Sequence, residues 1–169
     1  MKVISKQRNS RMCAICGLDN AYGLQAPFYN MADGSCMSVF AYKEHHQSYP
    51  GRVHGGLITA MLDELGLRAM WAKTLNEEEF GVTMSLTTNF RKPVPYGVPL
   101  IAKGVVEHDS HKFVAVKAQI FDETGVLLAD GKLNYIKLDP KQIAADASVH
   151  EEMPYLREDG VTDISFKEK

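Results

Sequence analysis

The stretch GRVHGGLITAMLDELGLRAMW, residues 51–71, decides how this chain is read. Projected as a helix at about 100° per residue, Ile58, Met61, Leu62, Leu65 and Ala69 gather on one stripe, with Gly66 beside them where another backbone could approach closely. A second group, Ala60, Leu67, Met70 and Trp71, falls on the far side. A helix that is apolar on nearly every side must be enclosed. A single sheet covers only the first face, so the second is expected to meet another subunit. Glu64 and Arg68 occupy the remaining edge four residues apart, in the order that favours an ion pair. Asp63 has no such partner: it projects between Thr59, Leu67 and Met70, with no basic residue three or four positions away.

A carboxylate in apolar surroundings costs desolvation energy unless hydrogen bonds compensate, and such acids serve proton transfer or nucleophilic attack. Structural networks hold buried acids too, so periodicity alone leaves reaction and bracing both open. The mouth of the same helix adds chemistry. His54, Gly55 and Gly56 put two glycines in the first turn, where backbone N–H groups lack intrahelical acceptors and absent side chains admit a ligand oxygen. Those N–H groups, at the positive end of the helix dipole, suit a developing oxyanion. Asp63 lies nine residues beyond His54, far for one carbonyl, so the acid meeting that carbonyl is expected from a neighbouring subunit.

Working outward, the segment before residue 22, ending in CAICGLDNAYG, reads as a loop-like lead-in because Gly, Asn and Asp cluster there. LQAPFYN and SCMSVFAYKE are short extended runs around the turn MADG, a predicted hairpin with Pro27 at an edge or bulge. After the loop HHQSYPG comes the helix, from about His54 to Lys73. Four strands follow in VTMSLTTNFRK, LIAKGVVEHD, KFVAVKAQIFD and VLLADGKLNYIKL, alternating as half-buried strands do. From Asp139 to Lys169 the chain is acidic and weakly periodic, a predicted surface-draped tail. One long helix against an antiparallel sheet of about six strands is an α+β architecture, expected to form one domain over residues 1–169.

Composition narrows the function. With 45% hydrophobic and 24% charged residues, the chain can bury a real core. A net charge of -2 leaves no electrostatic footprint for nucleic acid. The basic start MKVISKQRNSR is not followed by the apolar run of a secretory signal, and no stretch reaches the length of a membrane span, so a cytoplasmic location is expected. Three cysteines, an odd number, fit a reducing compartment. Cys13 and Cys16 form a CxxC that could bind zinc or cycle between thiol and disulfide. Without a second CxxC or a nearby His, the pair reads as structural and no metal site is assigned. His45 and His46 read as surface residues and Glu77–Glu79 as a solvated helix end.

The string YPGRVHGGLITAMLDE, with TTNFRKPVPYG downstream and LLADGKLNYI near the end, resembles the hotdog-fold acyl-CoA thioesterases of the phenylacetate-pathway branch, over roughly residues 13–138. The resemblance implies a sheet wrapped around the long helix, a dimer joined through a continuous sheet, active sites at the subunit interface and pairing of dimers into tetramers. It implies that the Gly55 N–H receives the thioester carbonyl oxygen, with Gly56 beside it, and that Asp63 is nucleophile or general base. Thr83 matches a position offering a hydroxyl near the reacting water. Ser48 stands where relatives often carry Asn or Gln; Gln47 would then substitute. Arg91 and Lys92 are candidates for the coenzyme A phosphates, although they also read as the wet end of a strand. Coenzyme A would enter as part of the substrate, with no separate cofactor.

The expected activity is hydrolysis of an acyl-CoA thioester by a homo-oligomer. Two rivals are a non-catalytic acyl-thioester binder, favoured by the Ser48 departure, and a hydratase or dehydratase, which would need His54 turned toward the substrate.

Overall fold

The computed structural model describes residues 1–144 and 151–169. Its elements run β1 (Val3–Lys6), β2 (Tyr29–Met31), β3 (Cys36–Phe40), β4 (Gln47–Tyr49), β5 (Arg52–Val53), α1 (Gly55–Thr74), β6 (Phe80–Phe90), β7 (Leu100–Asp109), β8 (Phe113–Asp122), β9 (Leu127–Leu138) and the single turn α2 (Pro140–Ile143). Seven strands form one antiparallel sheet in the order β1-β2-β3-β7-β8-β9-β6, and β4 with β5 make a separate small hairpin. The long helix lies across one side of the sheet and touches β2, β3, β6, β7, β8 and β9. This is the hotdog fold.

The helix forms where the projection places it. His54 is its N-cap, and it ends at Leu75 in the left-handed conformation, with φ 55°. Ile58, Met61, Leu62, Leu65 and Ala69 are all buried against the sheet. Gly66 is required by close approach: a Cβ there would lie 2.0 Å from the Tyr135 hydroxyl oxygen on β9. The predicted hairpin around MADG is β2–β3, with Tyr29 opposite Met37.

Four expectations are corrected. The sheet has one strand more than the six expected, because the lead-in contributes β1, paired antiparallel with β2. An edge strand of four residues needs few alternating positions, so its period is too short to read. The segment from Asp139 is not merely draped over the surface. Ile164 is buried with Tyr29, Met31, Met37 and Ile101, the Val3 N–H donates to the Thr162 carbonyl, and Asn9 pairs with Tyr155. Residues 145–150 of that expected tail lie outside the described residues. The far face of α1 is largely enclosed by the chain itself: Met70 and Trp71 are buried, the Trp71 indole N–H donates to the Glu79 carbonyl at 2.6 Å, and its ring meets Phe80 edge-on. Thr59, Ala60, Asp63 and Leu67 on that side stay half-buried. Finally, β6 does not alternate as a half-buried strand. Residues 82–85 are exposed on both faces, because β6 is the sheet edge and among the described residues pairs only with β9.

Candidate active site

Thr83 on β6 and Tyr135 on β9 are direct cross-strand partners, so both side chains point to the same face, toward α1. They converge on Asp63. The Thr83 hydroxyl donates to Asp63 Oδ1 at 2.6 Å, and the Tyr135 hydroxyl lies 3.0 Å from the same oxygen and also within reach of the Asp63 backbone carbonyl. Asp63 Oδ2 accepts no hydrogen bond among the described residues. No lysine or arginine pairs with it in that set. The carboxylate is half-buried, oriented through one oxygen and free at the other. That arrangement suits an acid that must be aimed while keeping a lone pair for a water or a carbonyl carbon.

The register of β6 shifts between Thr83 and Ser85, which places Met84 in a bulge. Bulges bend a strand and re-aim its side chains, and here the extra residue sits beside the half-buried acid. Tyr135 was not singled out in the sequence. The signal available was its inward position in LNYIKL: a buried tyrosine needs a partner for its hydroxyl. Burial and then the Asp63 charge push its phenol well above the ordinary tyrosine range, so it stays a neutral donor.

The helix mouth is a second, distinct place. The Gly56 N–H donates to His54 Nδ1 at 3.0 Å, so this imidazole caps the helix. The Gly55 N–H has no acceptor among the described residues. It opens on a surface groove of about 350 Å³ lined by Arg52, Val53, Gly55, Ile58, Phe90, Arg91, Lys92, Pro93 and Val94. Gln47 and Ser48 lie on the exposed hairpin that feeds the helix, and Gln47 Oε1 accepts a long hydrogen bond from the Tyr96 hydroxyl. Arg91 is committed to Asp130 through its Nε at 2.8 Å. Burial raises the Asp130 carboxyl, but the bonds from Arg91 and Asn89 more than offset this and hold it below the usual range. Lys92 is exposed at the rim of the groove.

Asp63 is eight positions beyond Gly55 along α1, about 12 Å along the axis at a rise of 1.5 Å per residue. The two groups of one chain therefore do not meet at one carbonyl. The expectation for His46 is also corrected: it is buried, its Nδ1 accepts from the Lys43 N–H and its Nε2 lies 2.8 Å from the Tyr22 carbonyl. Burial, first, lowers its pKa, and the bonding fixes the neutral ring with its proton on Nε2.

Comparison with known proteins agrees with this architecture. The profile of the Thioesterase superfamily matches residues 50–129, from the hairpin before α1 into β9. An acyl-coenzyme A thioesterase of Mus musculus, THEM4, is 31% identical over 120 residues, covering 69% of this chain and 49% of its own. A Saccharolobus solfataricus protein named as a candidate esterase, SSO2140, is 30% identical over 110 residues, covering 65% of this chain and 72% of its own. The chain thus spans about half the length of the mouse relative. Among solved structures, the thioesterase HI1161 of Haemophilus influenzae superposes with a TM-score of 0.63 at 17% identity, covering 73% of this chain and 85% of that one. The PaaI protein of the E. coli phenylacetic acid degradation operon superposes at 0.60 and 16%, covering 68% and 80%. Among the described residues no helix is long and apolar enough to cross a membrane. Its hotdog sheet, the glycine mouth of α1 and these relatives make the chain a member of the thioesterase superfamily.

Proposed function

We propose that this protein hydrolyses acyl-CoA thioesters, with each active site built from two copies of the chain: the Gly55 N–H of one and Asp63 of the other. The observation that carries the reading is the run of β6 along α1. Asp63 bonds Thr83, Thr59 Oγ1 lies 3.1 Å from Thr88 Oγ1, and a Cβ on Gly55 would meet the Phe90 ring at 3.3 Å. The helix and the edge strand therefore run antiparallel, with the Asp63 level at Thr83 and the Gly55 level at Phe90. Antiparallel pairing of β6 with its copy about a two-fold axis near Leu86 and Thr87 lays the Thr83 end of one strand beside the Phe90 end of the other. That brings the partner's Asp63 toward the Gly55 N–H. The outer edge of residues 82–90, largely exposed and without a second neighbouring strand among the described residues, supports the same pairing, since long bare edges are normally protected.

In this site the thioester carbonyl oxygen points at the Gly55 N–H, where the charge that develops on it is stabilised by the helix mouth. The partner's Asp63, aimed by Thr83 and Tyr135, takes a proton from an attacking water or attacks the carbonyl carbon itself. When water attacks, the carbon–sulfur bond breaks and the proton held by Asp63 passes to the departing thiolate of coenzyme A; when Asp63 attacks, the thiolate leaves at that step, and a water then hydrolyses the mixed anhydride, supplying the thiol's proton and restoring the carboxylate. Coenzyme A is part of the substrate, so no further cofactor enters. Lys92, at the rim of the Gly55 groove, is available to the phosphates, whereas Arg91 must first leave Asp130. The capped His54 retains only Nε2 for other chemistry, which weighs against the hydratase reading.

The test is thiol release from a panel of acyl-CoAs. Asp63→Asn keeps the shape and the Thr83 contact, and is expected to lower kcat by about 10²–10⁴-fold. An unchanged rate refutes the assignment. Binding of acyl-CoA by the wild type without turnover leaves the binder in its place.

A further inference from the structure

Outside this site, three chemistry-bearing side chains from distant parts of the sequence come together. Cys13 Sγ, Cys16 Sγ and a carboxylate oxygen of Glu64 all lie within 4.8 Å of one another. The sequence alone offered only the lone CxxC; the third group comes from the edge of α1 that Glu64 shares with Arg68 and is brought to the cysteines only by the fold.

We propose that Cys13, Cys16 and Glu64 form a zinc site, two thiolates and one carboxylate with the fourth position left to solvent, that pins the N-terminal segment to the middle of α1. Four observations support it. First, the spacing fits. Zinc–sulfur and zinc–oxygen bonds of about 2.3 and 2.1 Å at a tetrahedral angle put sulfur and oxygen about 3.6 Å apart, and Cys13 Sγ lies 3.7 Å from Glu64 Oε2. Second, the turn is shaped as a thiolate cradle. The Ile15 and Cys16 N–H groups point at Cys13 Sγ at 3.3 and 3.5 Å. The Gly17 N–H closes the turn on the Cys13 carbonyl at 2.9 Å, and a Cβ on Gly17 would lie 2.5 Å from that oxygen, so only glycine follows the second cysteine here.

Third, every donor has an orienting partner behind it, as metal ligands require. Ser10 Oγ lies 3.2 Å from Cys16 Sγ. Arg68 holds Glu64 by Oε1 alone, through Nε at 3.0 Å and a second nitrogen at 2.9 Å, leaving Oε2 turned to the cysteines. Fourth, the charges close. Two thiolates and a carboxylate around Zn²⁺ sum to -1, and the buried guanidinium of Arg68 returns the cluster to neutrality. Zinc binding displaces both thiol protons to solvent. Soft sulfur donors with one oxygen select zinc over magnesium or calcium.

The experiment uses the full chain, reduced, stripped with a chelator and titrated with Co²⁺ alone as a spectroscopic stand-in for Zn²⁺. The expected result is one equivalent bound, with thiolate-to-cobalt charge-transfer bands and the intense visible bands of a four-coordinate ion, all displaced by Zn²⁺. Cys13→Ser and Cys16→Ser should each abolish the charge-transfer bands, while Cys36→Ser leaves them unchanged. Glu64→Gln should weaken Co²⁺ binding by about 10-fold or more. If a variant fails to fold, the wild type still decides the matter: Zn²⁺ should protect Cys13 from alkylation. Absence of charge-transfer bands at stoichiometric Co²⁺, bands that persist in Cys13→Ser, or alkylation indifferent to Zn²⁺ overturns the proposal. So does isolation of the pair as a Cys13–Cys16 disulfide that, once reduced, takes up no cobalt. None of these readouts depends on thioester turnover, so the site stands or falls apart from the proposed activity.

Discussion

The two edges of the sheet are treated in opposite ways. At β1 the chain seals its own edge: the Val3 N–H reaches Thr162, the Ile164 N–H reaches the Met1 carbonyl, and Asp159 takes both Lys6 and the Tyr29 hydroxyl. At β6 ten of the eleven residues pair with β9 and Met84 bulges out, and among the described residues no strand lies on the outer side of Val82–Phe90, where Met84 is 58% and Phe90 57% exposed. Unpaired backbone groups and apolar side chains left at an edge invite another strand. The difference teaches where the chain is finished and where it is not. The bare edge is flanked at one end by Asp63 and at the other by Gly55.

The comparison can be broken most decisively by mixing two inactive variants. Asp63→Asn supplies a good Gly55 and Gly55→Val supplies a good Asp63, so a mixed dimer holds one intact site. Random reassortment of the two should restore roughly a quarter of wild-type turnover. No recovery, with mixed dimers shown to form, means that each site lies within one chain. Next in size, Met84→Asp places a charge in the bulge of the open edge and should weaken self-association by about 30-fold, with activity falling in parallel. Sedimentation as a function of concentration reads the first effect and thiol release the second. An oligomer indifferent to Met84→Asp moves the interface away from β6.

At the other edge the effects should be on stability alone. Ile164→Ala empties a buried position and is expected to cost about 2–3 kcal/mol in chemical unfolding, with kcat unaltered. A change in the oligomer instead would show that the sealed edge is also an interface. The smallest effect is electrostatic. Burial raises the Asp159 carboxyl, but Lys6 and Tyr29 outweigh it and hold the group below its ordinary value of 3.8. Its folded pKa is therefore the depressed one: its stabilisation is present above that ordinary value and is lost as pH falls toward the folded value. The gap in Tm between wild type and Asp159→Asn should accordingly close as pH is lowered from about 6 to about 3. A gap that is constant with pH shows that the carboxylate contributes nothing through its charge.

Much of the architecture was legible because it rests on local periodicity. The twenty-residue helix, the hairpin around Gly34 and the bounds of β7 follow from spacing, caps and turns that each element carries within itself. The lead-in and the last residues were not legible, because β1 is held by β2 and by the segment around Ile164 at the far end of the chain, and neither piece has much period of its own. In the candidate site, Asp63 and Gly55 stood out as residue types in improbable places and Thr83 only through the family resemblance, while Tyr135 looked like ordinary core until its hydroxyl was seen beside Asp63.

What the order of residues determined by itself was a helix with an acid on an apolar face, glycines at its mouth and strands enough to cover one side of it, since amphipathic period and capping act between near neighbours. Which oxygen of Asp63 is occupied, that Glu64 faces two cysteines, that Trp71 is covered by its own chain and that one sheet edge is closed were decided only by tertiary structure. Those are contacts between segments far apart in the chain, and their energies depend on distance and burial that no single segment carries.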